Sequence, residues 1–200
     1  SFHETKNIIS GEGGALLIND PALIDRAEIV REKGTNRSTY FRGQVDKYTW
    51  VDIGSSYLPG EIIAAFLWAQ VQEADAITSQ RKEIWNRYHM AFEPLEKIGR
   101  VRRPIVPAGC NQNGHMYYLI LRDLADRTAM ITSMKQLEIS CAFHYVPLHS
   151  SPKGLVCGRV SGLLSNTDDI ADRLVRLPLW VGLVESDIKK ISSKIELFLN

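Results

Sequence analysis

Residues 1–19, SFHETKNIISGEGGALLIN, set a lysine, a glycine cluster and an apolar run in quick succession. The apolar run from Gly13 to Asn19 lies between glycines and Asp20-Pro21, which predicts a short buried strand. Asp20 then caps a helix with Pro21 at its first position. Leu23, Ala27 and Val30 follow at helical spacing, and Gly34 ends the helix.

Working outward, residues 35–60 lose all periodicity and fill with polar, basic and glycine residues, so an irregular, functional or partner-bound segment is expected there. Leu67, Val71, Ala74, Ile77, Ile84, Tyr88, Ala91 and Leu95 then recur every three or four residues, with Arg81 as the polar interruption on the stripe. The spacing predicts one helix, on the order of 50 Å long at 1.5 Å per residue, bridging two lobes. Pro104, Pro107 and Gly109 mark a hinge or loop. Beyond it, residues 115–121 and 139–146 read as strands, and residues 127–137, 168–177 and 186–199 read as helices. The closing part is therefore a small α+β unit.

The 200 residues carry 24 Lys+Arg against 23 Asp+Glu, a net charge of +1, and are 44% hydrophobic. Such a chain is globular, and its neutrality argues against nucleic acid as a partner. No apolar run reaches the roughly 18 residues of a membrane span, and no signal peptide is legible, so neither a membrane nor secretion is expected and the location expected is the cytoplasm. Cys110, Cys141 and Cys157, sparse and odd in number, read as reduced thiols. The start at Ser1 without a methionine reads as the middle of a longer chain.

The chemistry starts at Lys6. A lysine amine attacks carbonyls only where its surroundings hold it beside one, so the residue on its own is a solvated lysine. Its company changes the reading. Ser1 stands five residues earlier, Phe2 and His3 lie between, and the GEGG cluster follows. A hydroxyl for a phosphate oxygen and an amine for a carbonyl carbon, on a segment that turns tightly, suit a pyridoxal phosphate site.

SFHETKN followed by GEGGALLINDPALIDRAEIVREKGTN closely resembles the active-site segment of the DegT/DnrJ/EryC1/StrS sugar aminotransferases, a pyridoxal-phosphate family. The resemblance continues through KYTWVDIGSSYLPGEIIAAFLWAQVQEAD, CNQNGHMYYLILRD, FHYVPLH and LVRLPLW. It implies an α/β fold of the aspartate-aminotransferase (type I) class, of which this chain is the C-terminal part. The end of the large cofactor domain and the start of the bridging helix would fall in residues 1–80, and the small α+β domain in residues 81–200. It further implies pyridoxal 5'-phosphate as cofactor, Lys6 as Schiff-base lysine and proton carrier, and Ser1 as a ligand of the cofactor phosphate. The substrates implied are a nucleotide-linked keto sugar and glutamate, in a homodimer with shared active sites. Within the family the likeness is strongest to enzymes acting on dTDP-4-dehydro-6-deoxy-D-glucose, toward enterobacterial common antigen and related polysaccharides.

Where many members read G-Y-N-Y-R, with an Asn that reaches the phosphate of the neighbouring subunit, this sequence has GSSYL, with Ser56 in place of the Asn and Leu58 in place of the Arg. Ser56 keeps one hydrogen bond to give. The resemblance places His144 and Tyr145 near the sugar nucleotide. Tyr57, in the irregular segment, is the aromatic residue expected to meet it as well. Arg31, Lys33, Arg37, Arg42 and Lys47 form either a diphosphate contact or a solvated basic loop. Trp50, Trp68, Trp85 and Trp180 read as core or interface. Cys141, His144, His149 and Cys157 do not make a zinc set, since residues three apart on a strand point to opposite faces. A dehydratase of the same family would carry histidine in place of Lys6. A catalytically silent dimerisation module fits the same residues, and the large-domain residues missing upstream imply that these residues alone lack transaminase activity.

Overall fold

The computed structural model describes Ser1–Asn200 and divides the chain into two compact units, Ser1–Ala74 and Asp75–Asn200.

In the first unit, residues 1–14 fold back on themselves. Phe2 N–H donates to Gly13 O at 2.8 Å, Glu4 N–H to Gly11 O at 2.9 Å, and Ser10 N–H to Phe2 O at 2.7 Å. Residues 14–19 then belong to no sheet, and none of their backbone groups has a hydrogen-bond partner. The buried strand expected there is thus an exposed run, with Leu16 76% and Leu17 88% accessible. Asp20 caps as expected: its side chain accepts from Ala22 N–H at 3.0 Å, opening a single 3₁₀ turn that leads into α1 (Ile24–Arg31). The segment expected to be irregular holds α2 (Arg37–Phe41) and is tied by isolated bridges between Glu32 and Ser56 and between Thr35 and Trp50. Two glycines pass each other there. A Cβ on Gly34, whose φ is +75°, would stand 1.9 Å from Asp52 O, and one on Gly54 would stand 2.0 Å from Gly34 N. The unit ends in α3 (Glu61–Gln72). Its buried residues are Ser10, Gly34 and Thr35, so it buries no apolar side chain.

The predicted single long helix is three helices: α3, α4 (Ala74–Ala91) and α5 (Glu93–Lys97). Pro94 accounts for the second interruption, because its ring cannot continue a helix already running but suits the first turn of a new one. Nothing in the sequence around Glu73 explains the first. The apolar stripe is buried from Ile84 onward, through Tyr88 to Leu95, joined by Trp85 and Phe92. Arg81 is itself buried at 8% exposure, its Nε–H donating to Gly114 O at 3.0 Å and its Nη2 to His115 O at 2.7 Å. Burial disfavours its charge, and the two carbonyls compensate.

The second unit is built on a three-stranded antiparallel sheet of order β1-β3-β2, with β1 at Tyr117–Ile120, β2 at Ala142–Phe143 and β3 at Leu174–Leu177. The register pairs Tyr117 with Leu177 and Ala142 with Arg176. The central strand is a correction to the sequence reading, which extended a helix over residues 168–177. That helix, α8, is Ser165–Arg173, and LVRL after it is strand. The expected strand over residues 139–146 shrinks to the two residues of β2. Helix α6 (Leu124–Gln136) is capped by Asp123, whose carboxylate accepts from Asp126 N–H at 2.9 Å, and it buries Met130 and Met134. Helix α9 (Glu185–Leu199) buries Ile188, Ile191 and Ile195. A further short helix, α7 (Pro152–Cys157), has no counterpart in the sequence reading. The core of this unit gathers Tyr88, Phe92, Tyr117, Leu119, Val175 and Ile195. Tyr88 stacks on Phe92 at 6.0 Å between ring centroids and donates its hydroxyl to Pro178 O at 3.0 Å, which satisfies the polar end of a wholly buried ring. Of the four tryptophans, Trp85 alone is core; Trp50, Trp68 and Trp180 are exposed.

Candidate functional site

The loop that closes residues 1–14 presents Ser1 and Lys6 to solvent. His3 connects them. Its N–H donates to Ser1 Oγ at 3.4 Å, and its carbonyl accepts Lys6 N–H at 2.9 Å. Its ring is held in turn, with Nδ1 2.9 Å from Thr5 Oγ1 and Nε2 3.5 Å from Glu12 Oε1. Ser1 Oγ thus accepts one hydrogen bond and keeps its own O–H to donate. The Lys6 side chain has no hydrogen bond or ion pair. Gly13, at φ +140°, lets the returning strand pass Ser10, where a Cβ would come within 3.0 Å of the hydroxyl; Ser10 Oγ is spent on Glu12 O at 2.6 Å. A hydroxyl donor and a primary amine are therefore exposed on one loop whose backbone is closed.

Ser56 and Tyr57 are exposed on the edge that runs beside α1. Ser55 N–H donates to Val30 O at 3.0 Å and Tyr57 N–H to Arg31 O at 3.1 Å. Tyr57 shares a cleft of about 1080 Å³ with Gly13, Gly14, Leu16, Arg31 and Leu58, so the structure brings this predicted residue to the glycine cluster. The basic stretch is partly spent: Arg42 pairs with Glu28 at 2.8 Å and Arg31 with Glu32 at 3.3 Å. The Arg42 hydrogen bond is the main reason the Glu28 carboxyl lies below the ordinary carboxylate range. Arg37 lies over the Phe41 ring at 4.9 Å.

In the second unit His144 and Tyr145 follow β2 directly, their ring centroids 5.3 Å apart, and both line two adjoining clefts of about 490 and 240 Å³. His144 Nδ1 is buried with no hydrogen-bond partner. Burial first, and the Arg176 charge second, lower the proton affinity of this imidazole. Arg176 donates its Nε–H to Phe143 O at 3.2 Å and lays its guanidinium 5.5 Å from the Tyr145 ring centroid. His149 Nε2 stands 3.0 Å from Asp168 Oδ1. No group of three His, Cys, Asp or Glu side chains is arranged to hold a metal ion. Arg176 does not stand out in the sequence because the strand that carries it, Leu174–Leu177, reads as the continuation of a helix. The LVRL pattern, with one arginine among branched apolar residues, was the signal available.

The chain matches the DegT/DnrJ/EryC1/StrS aminotransferase family over residues 1–196. It is 26% identical to the spore coat polysaccharide biosynthesis protein SpsC of Bacillus subtilis over 202 residues, 96% of this chain and 50% of that protein. It is 23% identical to the dTDP-4-dehydro-2,3,6-trideoxy-D-glucose 4-aminotransferase of Saccharopolyspora spinosa over 201 residues, 98% of this chain and 50% of that one. The chain spans about half the length of these relatives. Among solved structures, PseC of Helicobacter pylori, an aminotransferase involved in the biosynthesis of pseudoaminic acid, superposes with a TM-score of 0.85 at 20% identity, covering 100% of this chain and 52% of that one. This likeness shows the fold, part of an aminotransferase-like α/β architecture.

Proposed function

Because the chain belongs to the DegT/DnrJ/EryC1/StrS aminotransferase family, we propose that its protein transfers an amino group to the keto carbon of a nucleotide-linked sugar, with Lys6 as the reacting lysine. The observation that carries this reading is the loop of residues 1–14. It exposes an amine with no competing partner and a hydroxyl that still has its proton to give, both tied to His3. That donor set fits pyridoxal 5'-phosphate, whose carbonyl an amine can bond and whose phosphate a hydroxyl can hold. When bound, the cofactor supplies an electron sink at the reacting carbon.

The rest falls to the chain. Ser1 Oγ–H would orient the cofactor phosphate, and Ser56 Oγ–H would donate to the phosphate held by the neighbouring subunit. Lys6 Nζ anchors the cofactor and then, as general base and acid, moves the proton to and from the reacting carbon, Cα of the amino donor and C4 of the sugar. In the first unit Tyr57 is read as a contact of the nucleotide sugar, and in the second the His144–Tyr145 pair is read so on its own account. The substrate we propose is dTDP-4-dehydro-6-deoxy-D-glucose, with glutamate as donor and the 4-amino-4,6-dideoxy-D-galactose derivative as product. The supports are the extended likeness of the motif stretches and the dTDP-sugar specificity in the name of the Saccharopolyspora spinosa relative. The enzyme is read as a cytoplasmic homodimer serving surface polysaccharide and common antigen synthesis. No helix is long and apolar enough to cross a membrane.

The test is an absorbance spectrum of the chain with pyridoxal phosphate, before and after borohydride, beside the Lys6→Ala variant. Mass analysis of the labelled peptide follows. A visible band that borohydride fixes onto Lys6 and that the variant lacks supports the reading. An adduct on any other lysine overturns Lys6. Because Lys6 is exposed and has no side-chain partner, Lys6→Ala should leave the thermal midpoint unchanged, and its loss of the band can then be read as chemistry.

A further inference from the structure

We infer that Arg176 is the positioning residue of the His144–Tyr145 pair, holding it from the central strand by its bond to the Phe143 carbonyl and its stack on the Tyr145 ring. The inference rests on the proposed reading of this pair as the sugar-nucleotide contact. Arg176 stands opposite Ala142 in the β2–β3 register. From there its side chain reaches along β2 to the Phe143 carbonyl at 3.2 Å and on to the Tyr145 ring at 5.5 Å. The backbone on one side of His144 and the ring on the other are thus held by a single planar guanidinium. A lysine at this position would supply the charge without the fork or the stack. Arg127, on α6, completes the support by covering the Phe143 ring at 5.6 Å while its Nε–H is spent on Asp172 O at 3.0 Å.

The same guanidinium acts on His144 by its charge. The titratable and charged groups around the imidazole are Arg176 from β3, Arg127 from α6, Asp168 and Asp172 from α8, and His149 from the turn after Pro147. Asp168 lies 3.0 Å from His149, and Arg176 is the group whose charge bears on the imidazole. Protonating His144 would place a second positive charge beside Arg176 and bury an Nδ1–H that has no acceptor. Burial of Nδ1 and the neighbouring guanidinium thus both favour the neutral form of His144.

The test follows the His144 and Tyr145 ring signals of the labelled full chain by NMR through a pH titration, in wild type, Arg176→Met and Arg176→Lys. In Arg176→Met the His144 midpoint should move up and the Tyr145 ring signals should shift. In Arg176→Lys the midpoint should stay near wild type while Tyr145 still shifts, a split that a merely structural role does not produce. Unmoved His144 and Tyr145 signals in a folded Arg176→Met overturn the inference. Should that variant unfold, an unmoved Tyr145 in Arg176→Lys overturns it. Adding dTDP to wild type separates the underlying reading. If dTDP leaves both residues unmoved, the sugar-nucleotide assignment of the pair fails; the positioning role is still decided by the titration.

Discussion

Arg81 and Gly114 form a joint in which each needs the other: the Arg81 Nε–H reaches the Gly114 carbonyl at 3.0 Å, and the glycine, at φ +63°, leaves the room that the arginine backbone occupies. A Cβ on Gly114 would stand 2.7 Å from the Arg81 carbonyl carbon. Replacing Arg81 by Met takes the donor from the buried Gly114 carbonyl and should cost about 2 kcal/mol. Arg81→Lys should recover little, since an ammonium cannot serve both carbonyls from the same stem geometry. Urea unfolding of the three proteins reads the order directly. A lysine variant as stable as wild type would contradict the fork.

Gly54→Ala should disrupt the first unit alone. Its new methyl would meet the Gly34 backbone at 2.0 Å, a contact between two main chains that no rotamer change relieves. The expected loss is at least about 3 kcal/mol of local stability. Amide exchange should report it as faster exchange at Lys33 and Val51, which donate to Ser55 O at 3.0 Å and Gly34 O at 2.8 Å. Amides of the core around Tyr117 should be unaffected.

Glu96 gives the second unit an acid-sensitive tie. Burial alone would raise its pKa, but the Arg103 backbone N–H and guanidinium, at 2.7 Å from its two oxygens, outweigh that and hold it below its ordinary 4.5. A depressed carboxylate contributes stability that is present above the unfolded value and lost as pH falls through the folded one. Glu96→Gln should therefore cost about 1 kcal/mol at pH 7 and nothing further in acid. The two stability curves should converge as the pH falls from 4.5 through the lowered Glu96 value. Curves that stay parallel would remove Glu96 from the acid response.

The three thiols should differ in chemistry. Burial pushes the Cys141 thiol up to about 12, while Cys110 and Cys157 are exposed. Since the thiolate is the reacting species, a mild alkylating reagent near neutral pH should label two cysteines in the native chain and the third only after denaturation. Peptide mapping that finds Cys141 among the first two would overturn its placement.

Much of this was legible in the sequence where a local rule acts alone. Asp20-Pro21 announced a capped helix start, and the methionines of α6 fell inward. What failed were decisions taken by tertiary context. LVRL, residues 174–177, follows α8 without a breaker, and only pairing with Tyr117–Ile120 and Ala142–Phe143 makes it strand. Arg81 looked like a flaw in an apolar stripe because the carbonyls that justify it lie more than thirty residues away, on a glycine turn. The support of His144 and Tyr145 was hidden for the same reason, since Arg176 reaches them only across the sheet.

The bare backbone of residues 14–19 governs how this chain behaves at the bench. Six peptide units in succession offer hydrogen bonds that nothing within the chain takes up, and Leu16 and Leu17 at their centre stand in open water. Such a segment is a template for pairing with a second copy, so preparations are expected to cloud as concentration rises. A charged residue in place of Leu17 is accordingly the substitution that should keep preparations clear for spectroscopy.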